Sequence, residues 1–138
     1  MSELVLDKEG VDPAVVQLAG KIKDAQGPEI EQMRGWLAGW GAPAPATDAP
    51  MDDSAHAGHG GTMPGMMSEA DMSKLAEASG TDANELFLEQ MVAHHRGAVE
   101  MARAELSAGQ NPDAKQLAEE IIKAQESEII TMSELLGG

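Results

Sequence analysis

Two adjacent histidines, His94 and His95, lie between methionines in the segment FLEQMVAHHRGAVEMARAEL, residues 87–106. Met91 precedes His94 by three residues and Met101 follows it by seven, so a helix would place the four side chains near one face. Imidazole nitrogens and thioether sulfurs together suit Cu(I) better than hard cations. The alternative is an ordinary core, because methionine is a common core filler.

A helical wheel places both imidazoles inside the apolar arc around Met91, opposite Arg96 and Glu100. A buried neutral imidazole needs a partner for each ring nitrogen. A metal ion can serve one nitrogen while a carboxylate or a backbone carbonyl orients the other. The helix itself offers no inward carboxylate, so nitrogen and sulfur ligation without carboxylate is expected.

A second group of soft ligands occurs in residues 41–67, which are rich in Pro, Gly and Ala and lack helical periodicity. Such a segment is predicted to be a linker. Its candidate ligands are His56, His59, Met63, Met66 and Met67, with Met51 further upstream. Core packing does not explain imidazoles and thioethers in such a segment. They indicate a loop that captures soft metal ions loosely. The alternative is that they arose by neutral drift in an unstructured linker.

The elements that position these residues come from an internal repeat. Residues 10–37 align without gaps on residues 109–136, and 12 of the 28 aligned pairs are identical. Both copies begin as helices, with Asp12 or Asn111 as the N-cap before a proline. A duplicated helix pair is the best account of this similarity.

The pattern predicts an all-α, up-and-down helical bundle. Long helices are expected from Pro13, over 83–107 and from Pro112, with a short helix at about 69–79 capped by Ser68. We divide the chain into a truncated first repeat (1–40), the linker (41–67) and a second repeat that carries the His-His helix (68–138).

Composition excludes several classes of function. The formal net charge of -15 argues against nucleic acid and against anionic lipid, both of which attract Lys and Arg. No cysteine is present, so a disulfide framework or a thiolate site is excluded. No apolar run reaches the ~20 residues of a membrane span, and no signal peptide is visible at the start.

The segments FLEQMVAHHRGAVEMA and NPDAKQLAEEIIKAQESEIITM resemble the domain-of-unknown-function family 305, and the resemblance covers essentially the whole chain. It implies a ferritin-like four-helix fold and periplasmic or secreted proteins, some of which bind copper. By this resemblance Met91, His94, His95 and Met101 are the matching copper-ligand candidates. The methionines and histidines of the linker resemble a variable metal-rich segment.

The sequence departs from that family in one respect. Duplicated members carry a His-His helix before each repeated helix, whereas here only the second copy has one. Met1 falls where Met101 falls in the second copy, so we expect the first histidine helix to be missing, together with any export signal. A bundle open on one side predicts a homodimer that covers it.

The sequence therefore predicts a non-enzymatic protein that sequesters copper, as Cu(I), or transfers it to a copper-handling partner outside the cytoplasm. One alternative is a structural or interaction bundle without metal. Another is a ferritin-like di-metal oxidase, but such sites need a glutamate three residues before each histidine. Met91 and Val92 occupy those positions.

Overall fold

The structure is a computed structural model that describes residues 1–42 and 65–137. Throughout these ranges the regular elements are all helices, as predicted, and no strand occurs in them. The described residues form five helices in chain order: α1 (Ser2–Leu6), α2 (Pro13–Gly39), α3 (Glu69–Glu77), α4 (Gly80–Ala108) and α5 (Pro112–Gly137). The predicted all-α bundle is confirmed.

The predicted N-caps are confirmed at three helices. The Asp12 side chain accepts a hydrogen bond from the Ala14 amide at 2.7 Å, and the Asn111 side chain accepts from the Asp113 amide at 2.8 Å. Ser68 begins α3 in a capping box with Asp71. Each of these oxygens satisfies an amide that has no partner inside its helix, which fixes where the helix starts.

Two features of the helices differ from the prediction. The short helix α1 was not predicted; it buries Val5 completely against the core. Helix α4 begins at Gly80, three residues before the predicted start. Gly80 has a φ of 54°, a left-handed conformation that glycine adopts without strain, and this lets the chain turn from α3 directly into α4.

The directions of the long helices follow from contacts at their ends. The Asp12 amide donates to the Asn84 side chain at 3.1 Å, so α2 and α4 start at the same end of the bundle. Trp36, near the end of α2, shares a groove with Asp113, near the start of α5. Helix α2 therefore runs parallel to α4 and antiparallel to α5.

The apolar core lies at the end where α2 and α4 begin. It joins side chains from all five helices: Val5, Val15, Leu18, Ala19, Ile22, Leu75, Phe87, Leu88, Met91, Val92 and Met132. Lys8 stabilises this end, because its ammonium group donates to the carbonyl oxygens of Ala76 and Ala78 at 2.6 and 2.7 Å. These acceptors lie at the C-terminal end of α3, where carbonyls lack helical partners.

The second half of α2 is covered less than its counterpart in α5. Ile30, Met33 and Trp40 are exposed there, whereas Met132, the repeat equivalent of Met33, is completely buried. The bundle is thus open along one flank of α2. Over the described residues, no helix combines the length and the apolar character required to cross a bilayer.

Candidate metal centre

The centre of the candidate site is His95, which lies in the interface between α4 and α5. Its side chain is completely buried, as the wheel predicted. Its Nε2 lies 2.8 Å from Oε2 of Glu128 on α5. The carboxylate that the sequence analysis allowed as an orienting partner is thus supplied by the neighbouring antiparallel helix α5, while α4 supplies none.

The other ring nitrogen of His95 is left unused. Nδ1 is buried and has no hydrogen-bond partner within residues 1–42 and 65–137. An unsatisfied buried polar atom costs about 1–3 kcal/mol, so a native protein rarely keeps one without a reason. A nitrogen whose ring is oriented by a carboxylate and whose lone pair is free suits a metal ion.

Met91 supplies the nearest thioether along the helix. It lies one turn before His95 on α4 and is only 3% exposed, packed in the apolar core with Met132 and Phe87. Residues four apart on a helix are neighbours on its surface. Met91 and His95 therefore combine a soft sulfur and an imidazole in a water-poor environment, which suits Cu(I).

His94, the neighbour of His95 on α4, is half-buried. Its Nδ1 is 2.9 Å from the carbonyl oxygen of Gly65, which belongs to the segment before α3. Gly65 has a φ of 82° and sits directly on α4: a Cβ at this position would lie 2.9 Å from the His94 carbonyl oxygen and 3.0 Å from the Gly97 Cα. Only glycine permits this close approach, which brings the Gly65 carbonyl oxygen within hydrogen-bond distance of Nδ1 of His94.

The remaining predicted ligands are less well placed. Met101 is 48% exposed rather than directed inward, because it lies at the edge of the apolar arc. Met66 is exposed and Met67 is half-buried, next to Gly65. The other linker candidates lie outside the described residues: Met51, His56, His59 and Met63.

The electrostatics of the site include a second carboxyl group, Glu29 on α2. Burial raises the pKa of Glu29, and the negative charges of Glu128 and Glu120 raise it further. Glu29 is the repeat equivalent of Glu128. The two copies of the repeat thus direct the same residue type toward the same part of the bundle.

The described residues do not bring together three or more His, Asp or Glu side chains in a metal-binding group. His95 with Glu128 is a pair, so a metal ion at His95 would need ligands of another kind. Thioethers are available in α4, which is consistent with the nitrogen and sulfur chemistry of the helix.

The family model described as a domain of unknown function, DUF305, matches residues 1–136 of the chain. The chain belongs to the DUF305 family. The family assignment made from the His-His helix and the helix that follows it is confirmed. Among curated proteins no match is found.

The solved structures that are similar to this DUF305 chain include the following three. A DUF305 protein of Streptomyces coelicolor, described as secreted, is 35% identical with a TM-score of 0.82, over 99% of this chain and 80% of that one. A DUF305 fragment from Deinococcus radiodurans is 32% identical with a TM-score of 0.79, over 99% and 83%. CopM in its Cu(I)-bound form is 27% identical with a TM-score of 0.71, over 97% and 81%.

Sequence reasoning missed Glu128 and Gly65 in this DUF305 site. The signal for Glu128 was present, because Gln125 and Glu128 interrupt an apolar stripe on α5 formed by Leu117, Ala118, Ile121 and Met132. Polar residues on a buried face need partners. Both are also identical in the first repeat, as Gln26 and Glu29. Nothing in the sequence indicated that Gly65 docks on α4.

Proposed function

We propose that this protein binds copper as Cu(I) and sequesters it or hands it to a copper-handling partner, outside the cytoplasm, without catalysing a reaction. The ligands are His94, His95 and Met91, with Met101 as an additional thioether. The soft ligands of residues 51–67 serve as a capture segment in this proposal.

One observation carries the proposal. His95 is completely buried, its Nε2 is engaged by Glu128, and its Nδ1 has no partner in the part of the chain that the structure describes. A histidine kept only for packing would be expected to satisfy both nitrogens. A free lone pair one turn from the Met91 thioether is what a soft-metal ligand requires.

The choice of copper is supported by ligand chemistry and by a structural relative. Thioether and imidazole ligands favour Cu(I), whereas Mg²⁺ and Ca²⁺ favour oxygen ligands. CopM, which is 27% identical over a similar fold, has been solved in a Cu(I)-bound form. The relative from Streptomyces coelicolor is described as secreted, which supports a location outside the cytoplasm.

A binding role is favoured over a ferritin-like oxidase because of the residues that precede the histidines. Di-metal carboxylate proteins use a Glu-x-x-His motif on each of two helices, together with further inward glutamates. Here Met91 and Val92 precede the histidines by three residues, and the carboxylate that contacts His95 comes from a different helix.

The decisive experiment is an anaerobic Cu(I) titration against a competing chelator, comparing the wild type with His94→Ala/His95→Ala. We expect the double variant to lose at least one bound copper ion per chain. Val99→Ala, which also removes buried volume from α4, is the matched control and should bind like the wild type. His56→Ala/His59→Ala tests the linker separately.

Equal copper stoichiometry in the wild type and in His94→Ala/His95→Ala would reject the site on α4. If His94→Leu/His95→Leu also leaves copper uptake unchanged and is at least as stable as the wild type, the chain is a structural bundle instead. Circular dichroism of each variant shows whether it has folded, so a loss of binding can be separated from a loss of structure.

A further inference from the structure

We infer that the two adjacent imidazoles are held in opposite tautomers, so that His95 offers Nδ1 to a metal ion whereas His94 offers Nε2. Glu128 is the positioning residue for His95, and the Gly65 carbonyl has the same role for His94. The tautomers follow from contacts within the protein itself. Their consequence for ligation rests on the proposed function.

The tautomer of His95 follows from its partner. An ionised carboxylate has only acceptor atoms, so the 2.8 Å contact with Oε2 of Glu128 requires a proton on Nε2 of His95. A second proton on Nδ1 would leave a buried cationic donor without an acceptor, since none of the described residues contacts Nδ1 in a hydrogen bond. Such a donor is costlier than an unused lone pair. His95 is therefore neutral, with its lone pair on Nδ1.

The tautomer of His94 follows in the same way but with the opposite result. A backbone carbonyl oxygen only accepts, so the 2.9 Å contact with Gly65 requires a proton on Nδ1 of His94. The neutral ring then has its lone pair on Nε2. Gly65 can approach this closely because it lacks a Cβ that would meet the backbone of α4.

The two lone pairs differ in their distance from the helix that carries them. Nδ1 is bonded to the ring carbon that joins the side chain, whereas Nε2 is at the far end of the ring. His95 thus presents its ligand atom close to the α4 backbone inside the interface. His94 presents its ligand atom at the outer end of a half-buried ring. The pair supplies two inequivalent ligand atoms, one on a completely buried ring and one on a half-buried ring.

The burial of His95 makes Glu128 the specific acceptor for the proton on Nε2. His95 is completely enclosed, so solvent cannot readily replace the carboxylate as acceptor. Glu126, two residues earlier on α5, has a different partner, because its carboxylate accepts from Arg103 at 2.7 Å on the surface. Glu126 therefore offers a matched control on the same helix.

The test is ¹⁵N NMR of the histidine side chains in the metal-free protein, since the nitrogen shifts distinguish the two neutral tautomers. We expect His95 to be protonated at Nε2 and His94 at Nδ1. In Glu128→Leu, His95 should become a mixture of tautomers while His94 stays unchanged, and Glu126→Leu should resemble the wild type. Finding the same tautomer at both histidines, or an unaltered His95 in Glu128→Leu, would overturn the inference.

A second measurement adds Cu(I), which is diamagnetic, to the same samples. We expect copper to shift Nδ1 of His95 and Nε2 of His94, and Glu128→Leu to weaken Cu(I) binding about 10- to 100-fold. Glu128→Gln, which keeps an acceptor oxygen, should restore most of that loss. Shifts at the opposite nitrogens would overturn the ligation assignment. Opposite tautomers without any copper binding would instead reject the proposed function and support the tautomer assignment.

Discussion

Met132 and Met33 occupy equivalent positions in the two copies of the repeat, yet Met132 is completely buried whereas Met33 is 39% exposed. The difference arises from their surroundings, because Met132 belongs to the apolar core that also contains Met91 of α4. The second half of α2, which carries Met33, is covered less completely. The same residue type at equivalent positions of the repeat is thus expected to contribute differently to the free energy of unfolding.

This relationship predicts unequal costs for the same substitution. Met132→Ala should lower the free energy of unfolding by about 2–5 kcal/mol, since it opens a cavity in the core. Met33→Ala should change it by no more than about 0.5–1 kcal/mol, as expected near a surface. Chemical denaturation of both variants measures the difference. Similar losses would show that the α2 flank is covered in solution, as the predicted homodimer requires.

Replacement of Met91 should affect copper more than it affects folding. Met91→Leu nearly conserves volume, so we expect a stability loss below about 1.5 kcal/mol. Cu(I) affinity should fall by at least about tenfold, or about 1.4 kcal/mol, because a thioether close to His95 is removed. Met101→Leu is the control, and its loss should be smaller because Met101 is half exposed. Equal losses in the two variants would contradict the difference in placement.

Glu29 predicts a pH-dependent contribution to stability. Burial, with help from Glu128 and Glu120, raises the pKa of Glu29 above its ordinary value of 4.5. The folded state therefore favours the protonated carboxyl, and this contribution is fully present below pH 4.5 and is lost as the pH rises through the raised pKa. At neutral pH the ionised Glu29 is unfavourable.

Glu29→Gln should consequently stabilise the protein at neutral pH, by no more than about 1 kcal/mol because solvent screens a partly exposed charge. Below pH 4.5 the gain should vanish. Denaturation at several pH values, with the exposed Glu119→Gln as the control, measures this dependence. A gain that persists unchanged at acid pH would contradict the electrostatic explanation.

Gly65→Ala should detach the segment before α3 from α4. The new Cβ would lie 2.9 Å from the His94 carbonyl oxygen, and the φ of 82° is strained for alanine. We expect a stability loss of about 1–3 kcal/mol and loss of the hydrogen bond at Nδ1 of His94. Gly41→Ala, with a φ of 67° but open space around it, isolates the backbone strain from the steric clash. Thermal unfolding and histidine NMR measure the two effects.

Much of the fold was predictable because helix signals are local. The N-caps Asp12, Ser68 and Asn111 each act on amides two or three residues away, so their effect can be recognised in sequence alone. Helix α1 was missed because five residues are too few to show a helical period. The early start of α4 depends on the positive φ of Gly80, which the sequence pattern that predicted a helix over 83–107 did not indicate.

The candidate site was predictable only in the part contributed by one helix. Periodicity correctly directed His95 inward, but it placed Met101 on the same face although the neighbouring helix leaves it exposed. Glu128 and Gly65 reach the histidines from 33 and 29 residues away along the chain. Contacts at that separation depend on how helices pack, which single-helix periodicity does not contain.

Under the proposed copper function, the complete burial of His95 also affects the rate at which the ion would be exchanged. Nδ1 is buried, so an incoming or departing ion would reach it only when the packing around His95 opens locally. The residence time at this atom is then governed by the frequency of such openings as well as by bond strength. His94 is only half-buried, so an ion at its ring would not need such an opening, and the two neighbouring residues would combine rapid access with slow retention.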